Sequence, residues 1–177
     1  HLGGVDRGPH FALGEEPHDV AITLPEAPGK APATFTAGRL TARVATEGPW
    51  GLEFVSPEGR VLTSSTAQSV GVISTPDGPF VREQLTMGVA ETIYGLGERF
   101  GAFAKNGQSV DIWNEDGGTA SEQAYKNVPF YLSDAGYGLF VAHPERVSFE
   151  IGTEVVSRAQ FSVAGPELQY YVVYGAT

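Results

Sequence analysis

The sequence predicts an all-β domain, an antiparallel β-sandwich of roughly ten to fourteen short strands. Three observations point there. The 177 residues include 23 glycines and 12 prolines, well above average usage, so turns must be frequent. Apolar and polar residues alternate with period two along much of the chain, the pattern of a strand with one buried face. No window sustains the 3.6-residue period of a helix.

Residues 1–38 are rich in Pro, Gly, Ala and acidic groups. They read as a leader or loop segment, with residues 20–24 (VAITL) a candidate edge strand. The sandwich is expected over residues 39–177. Leu40, Ala42 and Val44 alternate with Thr41 and Arg43. Residues 50–55 and 60–63 flank Ser56-Pro57-Glu58-Gly59, a turn in which Pro57 fixes φ and Gly59 accepts positive φ. Residues 69–74 form the next strand, and Asp77-Gly78 turns the chain into residues 80–87, where Val81, Glu83, Leu85 and Met87 share one face. Lys105-Asn106-Gly107 carries the Asn-Gly signal of a hairpin leading into residues 109–113. Residues 128–132 and 137–142 flank the turn Asp134-Ala135-Gly136. Val147, Phe149 and Ile151 alternate with Ser148 and Glu150, and residues 155–163 and 168–174 complete the set.

Composition excludes several functions. The net charge is −10 and the pI about 4.7, a field that repels nucleic-acid phosphates and anionic membranes and leaves neutral ligands such as sugars unaffected. There are no cysteines, so disulfides, thiolate chemistry and zinc–thiolate sites are excluded. No apolar run is long enough for a membrane-spanning helix. The stretch from His1 to His10 has neither an initiator Met nor an apolar signal segment, so the numbering is expected to begin inside a longer polypeptide or after removed sequence. The compartment stays open.

The chemical motifs are mostly negative. Gly95-Leu96-Gly97-Glu98-Arg99-Phe100-Gly101 approximates a dinucleotide fingerprint, but the third glycine is one position late and no helix follows, so no cofactor is expected. The glycines read better as sites of positive φ or close backbone approach, with Glu98 and Arg99 a local ion pair. No Gly-x-Ser-x-Gly elbow occurs. His143 reads as a strand-end residue rather than a metal ligand. Asn114, Asp116 and Glu122 miss the spacing of a calcium loop, and no metal is expected. Asp111, Glu115, Asp116 and Glu122 crowd one strand and one loop, where a glycosidase needs carboxylates on opposed, rigid elements. The segment 113–127, WNEDGGTASEQAYKN, stands out. It is long, polar and glycine-containing between two apolar strands, where hairpin loops are usually 2–5 residues. Such loops are either solvated excursions or functional.

Two stretches name a family. Residues 92–100 (TIYGLGERF) and 107–141 (GQSVDIWNEDGGTASEQAYKNVPFYLSDAGYGLFV) resemble the N-terminal domain of glycoside hydrolase family 31. The continuations HPERVSFEIG and QFSVAGPELQYYVVYGAT fit the same domain. The resemblance runs from about residue 40, and is closest to α-xylosidases, with α-glucosidases next; the first 38 or so residues carry no matching motif. It implies a galactose-mutarotase-like β-sandwich. It also implies that the nucleophile and acid/base, both aspartates, belong to a (β/α)8 barrel expected after residue 177, so no catalytic residue is carried over and the chain alone is expected to be inactive. The resemblance gives the loop a part in the barrel's substrate pocket, with Asp116 contacting sugar hydroxyls of an α-linked oligosaccharide or glycoside. Trp113 is then a wall or a loop anchor, Asn114 a contact or an Asx-type turn residue, and Gly117 a point of close approach, like Gly118. The alternative is a stand-alone carbohydrate-binding sandwich that stacks sugars on Trp50, Trp113 or Tyr170-Tyr171. Without its barrel the chain is expected to expose an apolar patch and to self-associate.

Overall fold

The computed structural model describes residues 19–76, 78–114 and 124–175. These contain fourteen strands and no helix, and every strand pairing is antiparallel. The first sheet is a meander of β1 (Val20–Thr23), β2 (Ala33–Ala37), β3 (Leu40–Val44), β4 (Leu52–Val55) and β5 (Val61–Ser65). The second orders β6 (Gly71–Thr75), β7 (Gly78–Thr86), β13 (Arg158–Ala164), β12 (Val147–Ile151) and β9 (Gln108–Ile112). The third orders β14 (Tyr170–Tyr174), β11 (Tyr137–Val141), β10 (Phe130–Ser133) and β8 (Ile93–Gly95). The expected antiparallel β-sandwich is present: the second and third sheets face one another across the main core.

Alternation decides what enters that core. Leu85 and Met87 at the end of β7, Val147, Phe149 and Ile151 of β12, and Phe161 and Val163 of β13 are buried, as are Tyr131, Leu139 and Val141 from the facing sheet. Aromatic rings join the layers. Tyr131 meets Phe149 edge-on at 6.2 Å between centroids, and Tyr170 meets Phe161 at 5.1 Å. Fully burying one such large side chain contributes about 1.5–3 kcal/mol. The first sheet is fastened to β7 by polar contacts. Thr63 Oγ1 donates to the Thr86 carbonyl at 2.8 Å, and Ser65 Oγ donates to Glu83 Oε1 at 2.9 Å. Glu83 is buried; burial raises its pKa, against the hydrogen bonds from Ser65 and the Gln84 amide that favour the charged form. Glu91 is buried too, accepting from Ser133 Oγ at 2.5 Å, Tyr137 OH at 2.9 Å and the Gly88 amide at 2.6 Å.

Two turns form as the sequence predicts. Gly59 has φ +83 and donates to the Ser56 carbonyl at 3.0 Å, closing β4 onto β5. Gly136 donates to the Ser133 carbonyl at 3.1 Å, closing β10 onto β11. Three local expectations differ. Residues 33–37, expected as loop, form β2, so that the boundary at residue 38 falls inside the β2–β3 hairpin. Asn106-Gly107 makes no hairpin, because β8 pairs with β10 while β9 pairs with β12. The Asn106 side chain instead accepts from the Ile93 amide at 2.9 Å and donates to the Glu91 carbonyl at 2.9 Å, steering the chain from one layer to the other. Glu98 pairs with Lys126 at 2.9 Å rather than with Arg99.

Candidate functional site

The loop that the sequence singles out leaves β9 in one layer and enters β10 in the other. Its neck is described and its middle is not: Asp116 and Gly117, with Glu115, Gly118 and Glu122, lie outside the described residues. At the neck, Asn114 and Ala124 form an isolated parallel bridge. Asn127 closes it. Its Nδ2 donates to the Trp113 carbonyl at 2.8 Å and the Ala124 carbonyl at 2.7 Å, with Asn114 Oδ1 at 2.9 Å. The Asn127 backbone amide also reaches Asn114 Oδ1, at 3.2 Å. Asn114 therefore commits its side-chain oxygen to a bond across the neck, thirteen residues away, rather than to an Asx turn.

The glycine-rich turn after β8 lies against this neck. Gly95, Leu96 and Gly97 take φ values of +105, +64 and +84 in succession. A Cβ on Gly97 would stand 2.1 Å from the Lys126 carbonyl oxygen and 2.9 Å from the Val128 nitrogen. The glycine is thus required for close approach, as the sequence suggested. From this turn Arg99 reaches across: Nη2 donates to Asn127 Oδ1 and, at 2.8 Å, to the Asp111 carbonyl, while Nε donates to the Leu96 carbonyl at 3.2 Å.

A groove of about 570 Å³ runs from the neck along β9, lined by Arg99, Phe100, Gln108, Asp111, Trp113 and Arg146 among others. Trp113 is 46% exposed. The Arg146 guanidinium stands 5.8 Å from the Trp113 ring centroid and 3.4 Å from Asp111 Oδ2. Ser148 Oγ donates to Asp111 Oδ1 at 2.5 Å. Asp111 is thereby engaged with a cation and a hydroxyl. Beside the groove Lys105 is buried and donates to the Ala102 carbonyl at 2.8 Å; burial, with the neighbouring Arg99 charge, pushes its pKa down. Among the described residues no group of three His, Asp or Glu side chains is placed to hold a metal ion.

The structure thus brings Trp113 and Asn114 to one neck and adds two residues that the sequence did not mark as site residues, Asn127 and Arg99. The signal for Asn127 was its position as the last polar residue before the apolar entry to β10. Of the other sugar-stacking candidates, Tyr170 lies on Phe161 and Tyr171 stacks on Phe140 at 6.3 Å, whereas Trp50 donates its indole N–H to Ser65 Oγ at 2.7 Å and stays 47% exposed.

Comparison with known proteins agrees with this architecture. The family described as the glycosyl hydrolase 31 N-terminal galactose mutarotase-like domain matches residues 2–150, a span that includes most of the leader, where no motif was legible. The chain is 46% identical over 179 residues to the α-xylosidase XylQ of Lactiplantibacillus pentosus, covering 100% of this chain and 23% of that protein. It is 44% identical to an α-xylosidase of Emericella nidulans, covering 98% of this chain and 24% of that protein. The chain therefore spans about a quarter of the length of these relatives. Its fold matches an α-xylosidase from a soil metagenome, complexed with xylose, at a TM-score of 0.75 and 18% identity, over 98% of this chain and 27% of that one. A Flavobacterium johnsoniae dextranase complexed with isomaltotriose matches at 0.72 and 24%, over 88% of this chain and 19% of that one. The chain belongs to the N-terminal galactose mutarotase-like domain family of glycoside hydrolase family 31.

Proposed function

We propose that this chain is the accessory domain of a retaining α-glycosidase, an α-xylosidase before an α-glucosidase, and that it braces a catalytic barrel and lends the 113–127 loop to the substrate pocket. The observation that carries this reading is the 46% identity along the whole chain to an α-xylosidase of which it spans 23%. The missing body has a surface to meet. The outer face of the third sheet sets Tyr94, Leu132, Gly138 and Val173 in one row across its four strands. Leu132 is 51% and Val173 53% exposed, and Phe103, against Tyr94 at 5.1 Å, is 81% exposed. A contiguous apolar face of this kind marks an interaction surface. In the assembled enzyme, barrel aspartates would attack the anomeric carbon and protonate the leaving oxygen. Asp116 would accept hydrogen bonds from substrate hydroxyls, two of which an ionised carboxylate can take at once.

The stand-alone binding module has less support, since Tyr170 and Tyr171 are packed against neighbouring rings and Arg146 lies over Trp113. Two measurements test the reading. The isolated chain should not turn over aryl α-xylosides or aryl α-glucosides, and turnover by the pure chain would refute the accessory role. In the full-length enzyme Asp116→Ala should lower kcat/KM by about 1–3 kcal/mol of transition-state binding, the range of a hydrogen bond to a charged group. An unchanged kcat/KM would remove Asp116 from the pocket.

A further inference from the structure

The Asn106-Gly107 pair, which forms no hairpin, carries the chemistry of a self-modifying site. In an Asn-Gly sequence the glycine amide nitrogen can attack the asparagine side-chain carbonyl carbon, because no Cβ on the second residue obstructs the approach. A C–N bond forms between Gly107 N and Asn106 Cγ. The Nδ2 nitrogen departs as ammonia, taking the proton that Gly107 gives up, and a cyclic imide is left. Water then opens the ring at either carbonyl to give aspartate or isoaspartate. No other reagent is needed, and both residues are exposed to water. The other two asparagines, Asn114 and Asn127, precede Glu115 and Val128, whose side chains hinder the same attack.

The fold commits every reacting group elsewhere. The Gly107 amide, the nucleophile, donates to the Ile151 carbonyl at 2.6 Å. Asn106 Oδ1 accepts from the Ile93 amide, and Nδ2, the leaving group, donates to the Glu91 carbonyl, both at 2.9 Å. Around them the Lys105 amide donates to the Ile93 carbonyl at 2.8 Å and the Gln108 amide to the Lys105 carbonyl at 3.0 Å. Ile93 begins β8 in the third sheet and Ile151 ends β12 in the second, and both are fully buried. These bonds therefore fasten the crossing between the two layers.

We propose that Asn106 is a site of spontaneous deamidation, kept shut by the folded crossing and reactive only when residues 105–108 open locally. The product does not refit. Aspartate has no N–H for the Glu91 carbonyl and sets a charged oxygen against it. Isoaspartate routes the main chain through the former side chain and adds a methylene between residues 106 and 107, so the bonds to Ile93 and Ile151 cannot both be met. Each opening that ends in reaction leaves a looser crossing, a one-way record of opening at the layer junction.

The test ages the 177-residue chain at mildly alkaline pH, folded and in guanidinium, and reads deamidation at residue 106 by fragmentation mass spectrometry. Amide exchange of Gly107 is followed by NMR in the same buffer. Both reactions need the Gly107 nitrogen released from Ile151, so folding should slow both by one factor, about tenfold or more, with the two values agreeing within about threefold. Asn106→Asp should exchange at Ile93 and Gly107 about tenfold faster than the parent, the effect of an acceptor left unpaired. No reaction at residue 106 in guanidinium would overturn the site. Equal folded and unfolded rates, or a larger mismatch between the two protections, would overturn the gating. Unchanged exchange in Asn106→Asp would overturn the loosened product. Should Asn106→Asp not fold, the aged parent chain, separated by its added charge, gives the same comparison.

Discussion

Gly97→Ala separates a close backbone approach from a mere preference for glycine. Two costs apply at this position. The φ of +84 penalises a side chain by about 1–2 kcal/mol. The new Cβ would also stand 2.1 Å from the Lys126 oxygen and 3.0 Å from the Asn127 Cα. Those are backbone atoms, so the loop exit must shift, at the roughly 1–3 kcal/mol of an overpacked site. The shift also endangers the hydrogen bond from the Glu98 amide to the Lys126 carbonyl, about 1 kcal/mol net. Gly38 is the control. Its φ is +56 and a Cβ there would meet nothing within 4 Å, so Gly38→Ala carries the dihedral cost alone. Any gain from a stiffer unfolded chain is common to both and cancels. Gly97→Ala should therefore be less stable than Gly38→Ala by about 2–4 kcal/mol. Urea unfolding followed by tryptophan fluorescence measures this, with Trp113 reporting from the neck itself. A difference below about 0.5 kcal/mol, the ordinary size of a surface substitution, would refute the argument that close approach fixes this glycine.

Glu83→Gln should raise stability at neutral pH, because Gln keeps the bonds from Ser65 Oγ and the Gln84 amide and can donate to Tyr170 OH. Burial raises the folded pKa of Glu83, so its contribution is full below the unfolded carboxylate value and is lost as pH rises through the folded value. Thermal midpoints from pH 4 to 8 should show that loss in the parent and a flatter profile in Glu83→Gln, and parallel profiles would sink the claim. The isolated chain should self-associate through the outer face of the third sheet, and Leu132→Lys with Val173→Lys should return it to monomer in sedimentation velocity. A parent chain that stays monomeric at high concentration would count against a missing docking body.

What the sequence disclosed follows from the range of each signal. Alternation is local, so it located Val81, Glu83, Leu85 and Met87 on one buried face and the hairpin of β10 and β11. It overlooked β2 because Ala33-Thr34-Phe35-Thr36-Ala37 carries a single large apolar side chain. The Asn106-Gly107 signal was local too. It marked a turn, and Gly107 does have φ +79, but no turn residue states which strand the chain will pair with next. Long-range partners were beyond reach. Glu83 sits on the predicted face, yet its partners Ser65 and Tyr170 lie 18 and 87 residues away. The neck shows the same limit. Trp113 and Asn114 were conspicuous as the start of a polar excursion, while Asn127 and Arg99 acquire their roles only when residues 99, 113 and 127 converge.

The topology links the proposed docking face to the loop. The loop joins β9, the edge of one layer, to β10 in the other, and its exit passes directly from Asn127 through Val128 and Pro129 into β10. Leu132, on the outer face, is the third residue of that strand. Five residues, about 17 Å even at full strand extension and less here because the Phe130 amide turns back onto the Val128 carbonyl at 2.7 Å, therefore separate the neck from the docking face. Much of that path is rigid, because the Phe130 carbonyl is bonded by the Leu96 amide and Tyr131 is fully buried. A body seated against Tyr94, Leu132 and Val173 would thus be registered to the neck by one short strand and one strained turn, with little slack between them. Docking and loop placement should then be coupled. In the full-length enzyme, Leu132→Lys should raise KM for an aryl α-xyloside, although it lies outside the groove. Unchanged kinetics on the aryl α-xyloside in a Leu132→Lys enzyme with weakened docking would show that the loop is placed independently of that face.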